Sequence, residues 1–263
     1  SIRGNKKKLL DMSYKNAKMN LENKLNLLEK ESIRTNGAND ELSRLLGINV
    51  YRIDIFDNSN IFGTFNVSGM VVFKNGLPSK SDYRKYKITV DKNDDYNTMK
   101  EVTYRRYYKC LIEKSEIPDL ILVDGGKSQI HACLDTLKEL NLKIKVCGLV
   151  KNDKHRTSDL MDGDTLNIYD IDKTSNLFHY LTRIQDEVHR YTINYHRTIR
   201  SKGSISSILD NVEGIGTKRK KELIKHFGSV KKISNATTKE LKEFVPENVA
   251  IKLHKYLENY KDK

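Results

Sequence analysis

The period of apolar and polar positions changes along the chain, and those changes divide it. Leu10, Ala17, Leu21, Leu25 and Leu28 recur at helical spacing and predict one helix over about residues 7–31. A Gly/Asn-rich stretch at 35–39 predicts a turn. From Val50 the period falls to two. Residues 51–56, 67–73 and 83–88, rich in β-branched and aromatic side chains, predict three strands. Asn75-Gly76 is a hairpin signal between the second and third, so an antiparallel meander is expected. A helix follows over about 96–113, with Met99, Val102, Tyr107 and Leu111 on its buried face. Leu120-Ile121-Leu122-Val123 is apolar on both faces, as in a parallel strand covered on both sides. Asp124-Gly125-Gly126 ends it. Then come a helix over 127–140, a fifth strand over 144–150, and a polar loop or small hairpin over 152–170. A long helix runs from 175 to about 199, with Leu177, Leu181, Ile184, Val188 and Tyr191 at helical spacing.

A meander joined through helices to two further strands is the ribonuclease H-like arrangement. The expected fold is therefore α/β, a mixed five-stranded sheet with flanking helices. Residues 1–45 form a linker helix, 46–200 the α/β domain, 201–207 a Ser/Gly/Lys linker, and 208–263 a small all-α domain. Fold alone does not give function, so the sites must decide.

The length of 263 residues fits one large domain or two ordinary ones, and 37 % hydrophobic residues are enough for a packed core. No apolar run approaches the roughly 20 residues that span a bilayer, and no signal-peptide core opens the chain, so neither a membrane protein nor a secreted precursor is expected. Cys110, Cys133 and Cys147 are odd in number and form no CxxC pair, which fits a reducing cytoplasm rather than a disulfide scaffold or a zinc site. The net charge of +13 points to a polyanionic partner, nucleic acid first, without identifying chemistry.

The chemistry rests on acids at strand ends. In this fold the first strand lies centrally beside the fourth, and Asp57 and Asp124 close those two strands. Strand parity sends Asp54 to the opposite face from Asp57. Two carboxylates so close would repel and should recruit Mg²⁺ or Mn²⁺, which can activate water and stabilise the leaving oxygen of a phosphodiester. The plainer alternative is a turn residue and a helix cap. Asp94-Asp95, before a helix, could add a third carboxylate or simply cap. His189, beside Asp186, Glu187 and Arg190, suits metal ligation or proton transfer if its helix crosses the strand ends, and is otherwise structural or solvent-facing. His131, His155, His179 and His196 read as surface residues.

In the tail, 212–220 (VEGIGTKRK) has the form of a helix-hairpin-helix. Gly214, Ile215 and Gly216 permit a tight turn, and the helix opening at Thr217 offers free N–H groups to a phosphate without reading a base. Lys218, Arg219 and Lys220 add counterion-releasing charge.

Several segments together resemble one family. They are Ile55-Phe56-Asp57, Met70-Val71-Val72-Phe73, Tyr83-Arg84-Lys85-Tyr86, Asp94-Asp95-Tyr96, PDLILVDGGK at 118–127, RIQDEVHR at 183–190 and Tyr195-His196-Arg197. In this order they resemble the C-terminal half of UvrC, the incision subunit of bacterial nucleotide excision repair, over about 50–245. The resemblance implies an endonuclease cutting damaged double-stranded DNA on the 5′ side of a lesion. It also implies Asp57, Asp95, Asp124 and His189 as the active site, with Asp57, Asp124 and His189 as metal ligands. UvrB is the implied partner, engaged through an N-terminal half absent from this chain. There are departures: Asn58-Ser59-Asn60 stands where the family has Ile-Ser-His, no proline precedes the last helix at 170–175, and Pro246-Glu247-Asn248 replaces a Pro-Gly-Ile turn in the second hairpin. Asn60 leaves open an inactive DNA-binding scaffold. A transposase- or resolvase-type enzyme, with Glu187 as its last carboxylate, is the further alternative.

Overall fold

A computed structural model describes residues 4–59, 66–88, 94–151 and 158–261. It opens with α1 (Asn5–Ser32), a π-helical turn (Ile33–Gly37) and α2 (Ala38–Leu46), which run on without a break. The turn expected at 35–39 is thus a wider helical turn. Thr35 Oγ1 donates to the Glu31 carbonyl at 2.8 Å, keeping the chain helical across Asn36 and Gly37. Ala38, Asn39 and Leu42 are buried, and Asn39 Nδ2 donates to the Val50 carbonyl at 2.6 Å, tying α2 to the start of the sheet. The apolar stripe of α1, by contrast, is exposed at Leu10, Leu21, Leu25 and Leu28.

The sheet comprises β1 (Arg52–Ser59), β2 (Val67–Lys74), β3 (Leu77–Pro78), β4 (Arg84–Lys87), β5 (Leu120–Asp124), β6 (Lys145–Lys151) and β7 (Ser158–Asp162). Its order is β3-β2-β1-β5-β6-β7, with β4 also paired to β2. The Tyr51 carbonyl accepts from Asn75 N at 2.8 Å and the Asp57 carbonyl from Ser68 Oγ at 2.9 Å, so β1 and β2 run in opposite directions. β5 lies parallel to both β1 and β6. Seven strands replace the expected five for two reasons. The expected third strand is β4, and a short β3 precedes it after the Asn75-Gly76 turn, ended by Pro78, which has no N–H for a ladder, and set apart by a 3₁₀ turn at Lys80–Asp82. Leu160 and Met161 bury themselves in the polar 152–170 stretch and add β7 antiparallel to β6.

Three helices flank the sheet: α3 (Asp95–Glu113), α4 (Lys127–Glu139) and α5 (Asn176–Asp210). α5 contains the whole of 201–207, so that stretch is helix and not a linker loop. No proline interrupts it, and Ile205, Ile208 and Leu209 continue a buried face. His196 is also buried, contrary to its surface reading; His131 and His179 are exposed.

The chain divides into two compact units, 1–58 with 68–192, and 59–67 with 193–263. In the first, Ile53, Ile55, Phe56, Val71, Leu120, Ile121, Leu122 and Val123 are fully buried, and Phe56 meets Tyr107 edge-on at 6.1 Å. Each such side chain contributes about 1.5–3 kcal/mol by leaving water. In the second, α6 (Thr217–Phe227), α7 (Val230–Ser234), α8 (Thr238–Leu241) and α9 (Glu247–Lys261) close around Leu209, Leu223, Ile233, Leu241, Leu253 and Leu257. No described helix is long and apolar enough to cross a membrane.

The β6–β7 hairpin carries a pH-dependent contact. Burial opposes the Asp162 charge, but Lys145 at 2.7 Å, the Tyr169 hydroxyl at 2.5 Å and the N–H groups of Asp164 and Thr165 outweigh it. The carboxyl is held well below the usual range. A depressed folded-state pKa stabilises above the unfolded value of about 3.9 and loses that contribution as the pH falls below it. The thermal midpoint should therefore drop more steeply below about pH 4 in the native protein than in Asp162→Asn, when melting is followed across an acid series. Parallel curves would refute this.

Candidate metal centre

Asp57 and Asp124 meet because of register. Phe56 pairs with Val123 across the parallel β1–β5 ladder, so the next residues, Asp57 and Asp124, emerge together on one face. Asp54 lies three residues back in β1 and faces the other way, as strand parity requires. It is fully buried, with Arg52 Nε at 2.8 Å and Arg106 Nε at 3.5 Å. Burial pushes its carboxyl up against the pull of both arginines.

The turn after β5 is held tightly. Gly125 N donates to the Leu149 carbonyl at 3.2 Å, and a Cβ on Gly148 would stand 2.7 Å from the Gly125 carbonyl oxygen. Gly126 N donates to Gln129 Oε1 at 3.1 Å, where α4 begins.

α5 supplies the third group. Its buried residues Leu181, Ile184, Val188 and Thr192 lie against the sheet, and Gly69 of β2 makes the approach possible. A Cβ at Gly69 would come within 2.4 Å of Thr192 Oγ1. This docking carries half-exposed His189 over the strand ends, with Nδ1 at 3.4 Å from Asp57 Oδ2. One ligand atom from each of Asp57, Asp124 and His189 lies within 4.8 Å of the others.

The donor set suits a divalent cation. Asp57 Oδ2 is buried without a hydrogen-bond partner, a costly arrangement for a carboxylate oxygen that an ion would relieve. Carboxylates with one imidazole fit Mn²⁺ and, less well, the oxygen-preferring Mg²⁺.

Asp95 opens α3 beside the turn that follows β5. Asp94 caps α3, accepting from Tyr96 N at 2.9 Å, while Asp95 in the first turn accepts from Gln129 Nε2 at 3.4 Å. It is outside the three-residue group. Asn60 falls outside the described residues. Gln185 was not singled out in the sequence, yet its Nε2 donates to Asp124 Oδ1 at 2.6 Å. The available signal was its position four residues before His189, on the same helical face.

The other expected chemistry sits in the second unit. Gly214 adopts a left-handed φ of 91°, and Gly216 precedes α6, which has no side-chain cap. Arg219 is turned back to the Gly214 carbonyl at 2.9 Å and Lys220 pairs with Asp210 at 2.5 Å. At the second turn, Lys242 pairs with Glu247. The cysteines are buried free thiols; burial pushes Cys147 up to about 12, which leaves it protonated and inert.

Comparison with known proteins places the chain in a family. Residues 43–193, which include Asp57, Asp95, Asp124, Gln185 and His189, match the family model described as the UvrC RNAse H endonuclease domain. Proteins named UvrABC system protein C, from Streptococcus uberis and Streptococcus thermophilus, are each 50 % identical over 252 residues. The match covers 94 % of this chain but 43 % and 42 % of those relatives, so the chain spans less than half their length. Among solved structures, endonuclease V of Ciona intestinalis bound to inosine-containing DNA is 18 % identical over 48 % of this chain and 58 % of its own, with a TM-score of 0.30. The human enzyme is 14 % identical over 45 % and 61 %, also at 0.30. With the paired aspartates lying inside a match that spans more than half of its residues, the chain belongs to the UvrC RNase H endonuclease domain family.

Proposed function

We propose that this chain is the catalytic part of a divalent-cation-dependent DNA endonuclease, cutting a damaged duplex on the 5′ side of the lesion within a UvrABC-type excision system. The convergence of Asp57, Asp124 and His189 carries the reading. Asp57, Asp124 and His189 would hold Mg²⁺ or Mn²⁺. When bound, such an ion supplies positive charge that activates water and stabilises a leaving oxygen. The chain's own residues do the rest. The paired carboxylates create the negative pocket that selects a cation, and the Gly125-Gly126 turn leaves room for a phosphate to approach. The water oxygen forms the new bond to phosphorus, the phosphorus–sugar-oxygen bond breaks, the sugar oxygen takes a proton from solvent, and the proton lost by the water passes to solvent. Asp95 is the fourth active-site residue in this proposal; it accepts from Gln129 Nε2 at 3.4 Å while Gln129 Oε1 holds Gly126 N at the strand-end turn. UvrB is the proposed partner for presenting the damaged strand.

In the same proposal the tail is a helix-hairpin-helix module that grips duplex phosphates at Gly214, Ile215, Gly216 and Thr217 through the uncapped start of α6. Lys218, Arg219 and Lys220 add counterion-releasing charge beside it, Arg219 and Lys220 also bonding the Gly214 carbonyl and Asp210. Lys218→Ala should weaken duplex binding about equally for all sequences and reduce the salt slope by about 1. A sequence-dependent loss in fluorescence anisotropy would count against it.

The test of the main proposal is incision of a lesion-bearing duplex by the complete protein with its UvrA- and UvrB-type partners. A 5′ cut is expected with Mg²⁺ or Mn²⁺, abolished by chelation and restored by adding the ion back. Full activity in excess chelator would overturn it.

A further inference from the structure

We infer that Gln185 is a positioning residue for the metal ligand Asp124, an inference that rests on the metal-site reading above. Gln185 is 9 % exposed and lies on the inner face of α5, one turn before His189. Its amide stands 2.6 Å from Asp124 Oδ1. A carboxylate only accepts, so the amide nitrogen must face it.

The position of Asp124 makes such a bond consequential. It closes β5 immediately before two glycines, and it is less buried than Asp57. One short bond from a buried donor restrains the carboxylate plane and so sets where its oxygens stand relative to Asp57 and His189.

The residue type matters as well as the place. A lysine or arginine at 185 would neutralise Asp124 and compete with the cation. A carboxylate would add repulsion to a site that already holds two negative groups. A neutral amide orients Asp124 and leaves its charge available. Because Gln185 and His189 share one helical face, docking of α5 delivers a ligand and the holder of another ligand in a single packing event. That coupling makes Gln185 specific to the metal centre rather than to general packing.

The probe is Mn²⁺ alone, followed by loss of the free-ion electron paramagnetic resonance signal in the intact chain without DNA. Gln185→Met, close in size but without a donor, should weaken Mn²⁺ binding about 10–100-fold, as is usual for groups that orient metal ligands. In an Asp124→Ala background the same change should add less than about twofold, because the group it orients is gone. Gln185→Leu serves as the second variant, with circular dichroism confirming that each protein is folded. If Asp124→Ala weakens binding while neither Gln185 variant does, Gln185 has no positioning role and the metal site stands. An equal loss in both backgrounds would show that Gln185 acts other than through Asp124, which also overturns the inference. If Asp124→Ala binds Mn²⁺ as tightly as the native chain, the metal reading itself falls, and the inference with it.

Discussion

Replacing Asp57 with Asn is expected to lower metal-dependent incision by more than about 100-fold, since even residues that merely orient a metal ligand cost roughly 10–100-fold. The melting temperature should hold or rise. Asp57 is buried, its Oδ2 has no hydrogen-bond partner, and Asp124 adds a second negative charge nearby. The amide removes that repulsion while keeping the size of the side chain. A stable but inactive protein is the signature of a group retained for chemistry at the expense of stability. Incision rates and metal-free thermal melts, measured on the same preparations, test both halves. Incision within about threefold of the native rate would exclude Asp57 from the site; so small a change is far below the loss expected for a metal ligand.

Asp54→Ala is expected to do the opposite. Asp54 has no solvent exposure and faces Arg52 and Arg106, whose side chains are 4 % and 11 % exposed. Removing one partner of such a buried pair costs about 3–5 kcal/mol, because the charge left behind is neither hydrated nor compensated. For a unit of this size that corresponds to a fall of roughly 6–20 °C in melting temperature. Glu116, which also bonds Arg52 at 2.9 Å, keeps the loss toward the lower part of that range. Below its melting point the variant should still incise, since Asp54 lies on the far face from Asp57. Burial raises the Asp54 pKa, so its contribution is greatest at low pH and falls as the pH rises through the folded-state value. Asp54→Asn at neutral pH should therefore cost less than Asp54→Ala. Thermal melts of the two variants decide it, and a native-like Asp54→Ala would show that the buried pair does not stabilise the fold.

These two aspartates show how the sequence could be read and where reading stopped. The strand β1 is visible as an apolar alternation, and a period of two assigns Asp54 and Asp57 to opposite faces before any coordinates. The run at 120–123, apolar on both faces, marks a buried parallel strand in the same way. The meeting of Asp57 with Asp124 needed the fold, because nothing local to either segment states that β1 and β5 are neighbours in register. Long-range contacts were the harder part elsewhere too. Gly69 reads as an ordinary residue within a strand, and its closeness to Thr192 exists only once α5 lies on β2. Gln185 carries no mark beyond its spacing from His189.

The local misreadings have a common cause. Composition at 35–39 and 201–207 favours turns, yet both stretches are helical. Propensity is worth tenths of a kcal/mol per residue, whereas burial of Ile205, Ile208 and Leu209 contributes about 1.5–3 kcal/mol for each side chain. Over 158–170 the small-hairpin alternative is what forms: Met161 bridges Ile168 antiparallel, and Leu160 and Met161 bury themselves on the edge of the sheet.

By itself the sequence determined the class of fold, the two basic or acidic locations worth inspecting, and the face on which each strand aspartate lies. All of these follow from short-range periodicity and charge. The tertiary structure decided which acids converge. It brought Asp57, Asp124 and His189 together, set Asp95 against Gln129, and placed Gln185 against Asp124. The reason is physical: a metal centre is a set of distances among atoms remote in sequence, and those distances arise when a helix and two strands bury their apolar faces together. The +13 charge gains meaning from the same packing, as a basic chain that holds a small acidic centre at its strand ends.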